Sequence, residues 1–171
     1  MNELSQQLAK AERLHTITQQ VGFALWQLQE LEGAAAQYYV LVALATRGMG
    51  IEAGNALVED AQSRTFGSTI SKLVKAKHLP GEAESRFQAL LKERNWLVHS
   101  SRSTSRDAIH NDAACSKLGK RLEAIAEEAR LLLKVVAKAA EEHVKRHGVA
   151  TEKINELAEK TLKAWHDGNA A

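Results

Sequence analysis

Arg94, Asn95 and His99 are the residues of this chain whose types and spacing best support chemistry. An arginine carries a charge that no physiological pH removes, on a planar fork that matches the oxygens of a phosphate. A histidine takes up or releases a proton near neutral pH. Attack on a phosphodiester needs both: a proton-transfer group, and fixed positive charge where the phosphorane develops. On a helix at about 100° per residue, Phe87, Leu90, Leu91 and Val98 fall within about 60° of Arg94, while Asn95 and His99 lie to one side. Arg94 therefore follows an apolar stripe, where an unpaired guanidinium is costly. A carboxylate, a subunit interface or a bound anion must compensate it, and Glu30 and Glu32 are both candidates for the carboxylate. His99 falls at the helix end, and no acidic residue occurs between Arg94 and Arg106. Within that stretch Ser100, Ser101 and Arg102 are expected to bind phosphate.

The elements that position these residues are helices. One proline and ten glycines in 171 residues leave little punctuation. Alanine, leucine, glutamate, lysine and glutamine dominate, and all form helices well. Leu4, Leu8, Leu14, Ile17, Val21, Leu25, Leu28 and Leu31 mark one helical face, which continues through Tyr38, Leu41, Val42 and Ala45 to a break at Gly48-Met49-Gly50. Gly22 and Gly33 leave open whether this is one bent helix or two. Short helices are expected near Ile51 to Ala61 and near Ser68 to Lys77. Pro80-Gly81 opens the helix that carries Arg94, and the serine-rich run Ser100 to Ser105 breaks it, because clustered hydroxyls compete for backbone hydrogen bonds. Leu118 to Val144 form the most regular helix, closed by Gly148. Thr151 is expected to cap a last helix with Ile154, Leu157, Leu162 and Trp165 as its buried stripe. No segment alternates with a two-residue period. The expectation is an all-α fold: one domain over 1–171, built as an antiparallel bundle of about five to six helices.

With the motif and its frame described, the chain resembles the HEPN superfamily, whose signature is an arginine, four to six residues, then a histidine. Its commonest form has a polar residue directly after the arginine, here Asn95. The match is Arg94-Asn95-x-x-x-His99, late in a helix, within an all-helical frame of suitable length. The resemblance implies a metal-independent endoribonuclease that works as a homodimer, with two motifs facing one cleft and no cofactor. Many members are toxins or defence proteins, so an antitoxin protein is a possible partner. Other members have lost activity and bind a nucleotide or a partner protein. The internal 2′-hydroxyl of RNA suits this chemistry, with His99 as base, Arg94 as charge stabiliser and Asn95 orienting phosphate or imidazole. One toxin subgroup carries a tyrosine two residues after the histidine, the target of a partner nucleotidyltransferase. This chain has Ser101 there, and so departs from that mode of control.

The remaining signals are weaker. His143 and His147 share a helix face at a spacing that metal ligands use, yet no third ligand is evident, so no metal site is expected. Gly48-x-Gly50-x-x-x-Gly54 follows no strand and lacks the lysine and hydroxyl of a phosphate loop. Trp26, Tyr38 and Tyr39 sit at helical spacing and are expected in core or interface. The lone Cys115 fits a reducing compartment, the start Met1-Asn2-Glu3-Leu4 does not read as a signal peptide, and the apolar run Gly33 to Thr46 is too short to span a bilayer. A cytoplasmic location without membrane contact is the expectation. A net charge of +2 is too small to announce nucleic-acid binding by itself.

Overall fold

The computed structural model describes residues 3–168. Met1, Asn2 and 169–171, which the single-domain expectation includes, lie outside the described residues. Among those described there are seven α-helices and no strand: α1 (Glu3–Tyr39), α2 (Ile51–Gln62), α3 (Phe66–Lys75), α4 (Gly81–His99), α5 (Ser101–Thr104), α6 (Asp112–Arg146) and α7 (Thr151–His166). The fold is all-α. The count exceeds the expected five to six because part of the serine-rich break is itself a helical turn, α5. Gly22 and Gly33 do not interrupt α1. It ends instead in a π-type turn over Val40–Leu44, where the Ala45 N–H donates to the Val40 carbonyl, five residues back, at 2.8 Å. Gly48 and Gly50, at φ 84° and 82°, then take the left-handed conformation that reverses the chain into α2.

Contacts divide the chain into a unit ending at Ala137 and a unit beginning at Lys138. In the first, the core joins Leu28 and Leu31 of α1, Ile70 and Leu73 of α3, Phe87 of α4, and Leu122 and Leu132 of α6, all fully buried. Side chains of this size each contribute about 1.5–3 kcal/mol on burial. Phe87 also meets Phe66 edge-on, with ring centroids 6.2 Å apart. A smaller cluster of Ala36, Val40 and Ala61 anchors α2 to the end of α1.

Polar contacts give the order in which α4 and α6 follow α1. The Tyr38 hydroxyl donates to the His78 carbonyl at 2.8 Å, Glu32 meets Arg94, and Arg13 donates to the Ile109 carbonyl at 2.9 Å and pairs with Asp112. Successive contacts therefore advance from before α4, through it, to the start of α6 as they descend α1. Arg121–Glu93 and Arg86–Glu128 then bring α6 back along α4. The apolar face of α1 is buried only from Ala24 onward; Leu4, Leu8 and Leu14, expected on that face, are exposed.

The second unit comprises the end of α6, a turn and α7. Gly148, at φ 85°, and the bond from the Val149 N–H to the Val144 carbonyl (3.1 Å) close α6 as expected. Two expectations fail here. Thr151 is the first residue of α7 rather than its cap, and Ala150, which offers no side-chain bond, takes that position. The stripe expected to be buried is open: Leu157, Leu162 and Trp165 are exposed, and α7 buries no residue. No helix among the described residues is long and apolar enough to cross a membrane.

Candidate active site

The end of α4 is held by three contacts that the sequence did not announce. The Arg121 guanidinium of α6 lies over the Trp96 ring, 3.3 Å from its centroid, and forms a bidentate pair with Glu93 at 2.7 and 3.1 Å. The Trp96 indole N–H donates to Thr104 Oγ1 at 2.9 Å, tying α5 back onto α4. The last turn of α4, with Arg94, Asn95 and His99, is thereby fixed between α6 and the segment that follows.

Of the two glutamates that could compensate Arg94, the structure uses Glu32: Arg94 Nε donates to Glu32 Oε1 at 3.0 Å. Both side chains are about three-quarters buried, with 29% and 27% of their surface exposed. The bond is single, so the two terminal amino groups of Arg94 carry no protein acceptor among the described residues. That leaves donors for an anion while the pairing fixes the plane of the guanidinium. Asn95 and His99 are exposed and their side chains make no hydrogen bond among the described residues. Four residues apart, they share a helix face. Arg94 does not share it: the five-residue step to His99 turns the helix by about 140°. Within one chain the guanidinium and the imidazole therefore diverge. Val98, expected on the apolar stripe, is 47% exposed, so the stripe ends at the buried Leu97.

The serines are engaged with the backbone, as their competition for it predicts. Ser101 Oγ donates to the Leu97 carbonyl at 2.6 Å, and the Ser100 carbonyl accepts from the hydroxyls of Ser103 (3.0 Å) and Thr104 (2.8 Å). Ser101 thus has its hydroxyl proton committed, whereas the Arg102 side chain is exposed and unpaired among the described residues. Two further groups near Arg102, Arg106 and His110, were not singled out beforehand. Their signal was present, in that the acid-free stretch runs as far as Arg106 and a histidine follows four residues later. Elsewhere, the rings of His143 and His147 stack at 4.3 Å, and no cluster of three or more His, Cys, Asp or Glu placed to hold a metal occurs among the described residues.

Compared with known proteins, the chain matches no family model, no curated protein and no solved structure.

Proposed function

We propose that this chain is a metal-independent endoribonuclease of the HEPN type: a cytoplasmic, homodimeric antiparallel bundle of the toxin–antitoxin or phage-defence kind. One observation carries the reading. The Arg94-Asn95-x-x-x-His99 motif closes α4 with Arg94 oriented by Glu32 through Nε alone, its other donors free, and with Asn95 and His99 open to solvent. In the reaction, His99 takes the proton of an RNA 2′-hydroxyl, and the 2′-oxygen forms a bond to the adjacent phosphorus. Arg94 binds the non-bridging oxygens as their charge grows. The bond from phosphorus to the 5′-oxygen breaks, and the leaving oxygen takes a proton from His99 of a second copy. The products are a 2′,3′-cyclic phosphate and a 5′-hydroxyl. Asn95 orients the phosphate, while Ser100 and Arg102 hold the neighbouring one; the Ser101 hydroxyl, which donates to the Leu97 carbonyl, takes no part.

The divergence of Arg94 and His99 within one chain favours a second reading, a catalytically idle HEPN-like bundle that binds a nucleotide or a partner protein. Incubating purified protein with labelled single-stranded RNA in excess EDTA separates the two. The active reading expects cleavage with cyclic-phosphate ends by mass spectrometry, lost in Arg94→Ala and in His99→Ala while helical circular dichroism stays near wild type. It also expects a dimer mass by light scattering at micromolar concentration. A requirement for Mg²⁺, equal cleavage of DNA, 3′-hydroxyl ends or a strictly monomeric mass refutes the mechanism.

A further inference from the structure

A groove of about 510 Å³ lies between α1 and the segment after α4. Its floor is apolar, made by Leu14, Ile17 and Val21 of α1 with Leu118 of α6. Its rim carries Arg102, Arg106 and His110. No carboxylate lines it. Other grooves of the same unit do carry them: Glu123 and Glu127 between α1 and α6, and Glu32 beside α2 and α3. Of the two acids in the neighbouring sequence, Asp107 lines a different groove with Trp96 and Arg121, and Asp112 pairs with Arg13.

The state of the arginines sets this groove apart. All arginines but Arg47, Arg102 and Arg106 donate to a carboxylate or a backbone carbonyl among the described residues. Two of the three without a partner stand on this one rim. Of the hydroxyls around them, Thr18 and Ser101 already donate to the carbonyls of Leu14 (2.8 Å) and Leu97 (2.6 Å), which leaves Ser105 beside the two guanidinium groups. Two free guanidinium groups over an apolar floor match a ligand with an anionic edge and a flat apolar body.

We infer that this groove binds single-stranded RNA, with a base on the Leu14–Ile17–Val21 floor and backbone phosphates on Arg102 and Arg106. The strand is the occupant because the rim presents two unpaired guanidinium groups and a histidine with no carboxylate beside an apolar floor, and because Arg102 follows His99 by only three residues. A strand in the groove is thereby delivered to the end of α4. The inference rests on the ribonuclease reading for its substrate class, but not on turnover.

The test uses the full chain and a fluorescein-labelled RNA of about 12 nucleotides, 2′-O-methylated at every position so that no 2′-hydroxyl can attack. Fluorescence anisotropy at several salt concentrations gives affinity and salt slope. Arg102→Gln and Arg106→Gln are each expected to weaken binding by about tenfold and to lower the slope by about 0.7, the share of one phosphate contact on a single strand. Leu14→Glu, at a position 48% exposed, puts a carboxylate into the groove and is expected to weaken binding comparably with unchanged circular dichroism. Arg47→Gln removes an equally free charge outside the groove and is expected to change affinity by less than about twofold. Absence of binding by the wild-type chain overturns the inference. So does a loss in Arg47→Gln equal to that in the rim variants, or competition by adenosine monophosphate as tight as the strand itself. Because the probe cannot be cleaved, failure of the nuclease reading leaves this result intact, and unaltered binding in the rim variants leaves the nuclease reading intact.

Discussion

Removing Glu32 takes from Arg94 its one acceptor among the described residues, and the cost follows from burial and geometry. A fully exposed ion pair contributes about 0.2–1 kcal/mol, whereas stripping one partner from a fully buried pair costs about 3–5 kcal/mol. Here each side chain keeps between a quarter and a third of its surface in solvent, and a single N–H···O bond of 3.0 Å joins them instead of a bidentate fork. Glu32→Ala is therefore expected to cost about 1–2 kcal/mol, a fall in Tm of roughly 2–8 °C for a chain of this size. The pairwise part is isolated by a double-mutant cycle with Arg94→Ala, measured by urea unfolding under far-ultraviolet circular dichroism. The expected coupling is about 1 kcal/mol with an unchanged dependence on urea. A coupling below about 0.3 kcal/mol would refute the idea that Glu32 compensates a stripe-facing guanidinium. Cleavage supplies a second arm: with the guanidinium no longer held in plane, Glu32→Ala is expected to lower the rate even where the fold persists.

Phe87→Ala deletes a fully buried ring and its edge-on contact with Phe66, so a loss of about 3–5 kcal/mol is expected in the same unfolding assay; a loss under about 1 kcal/mol would mean that the core is not built around this ring. On the exposed face of α6, the Arg130 guanidinium hydrogen-bonded to Glu127 holds that carboxyl below its ordinary range. A depressed folded value means the pair's contribution is present above the unfolded pKa and lost as pH falls through the folded one. NMR titration of the Glu127 side chain is expected to show this depression in the wild type and its disappearance in Arg130→Gln.

Much of the fold was legible in the sequence because helices are written in local periodicity. Pro80-Gly81, the glycines at 48 and 50, and Gly148 all mark boundaries where the structure has them, since each supplies a backbone conformation that ends or begins a helix. The errors lie where periodicity is silent about neighbours. Leu4, Leu8, Leu157, Leu162 and Trp165 repeat at helical spacing as faithfully as Leu28 and Leu31, yet they are exposed. A stripe states that a face is apolar and does not state what packs on it. The serine run was correctly read as a competitor for backbone bonds, but that competition produced the short turn α5 and not an open loop, because the Ser100 carbonyl gathers the hydroxyls of Ser103 and Thr104.

The candidate site was legible in identity and only half legible in arrangement. The wheel placed Arg94 on the buried side and so demanded a partner, but Glu30 and Glu32 are two residues apart and only packing selects between them. What the spacing did contain is the angle. Five residues on a helix turn about 140°, so Arg94 and His99 leave α4 on different flanks, and one substrate meets both only through the reach of the arginine or with a second copy. The Arg121–Trp96 contact and the Trp96–Thr104 bond tie the end of α4 to α6 and α5. In the proposed mechanism a second copy supplies the acid, so the two motifs face one cleft. The proposed mechanism draws on two copies, and a catalytically active monomer would contradict it however complete the motif.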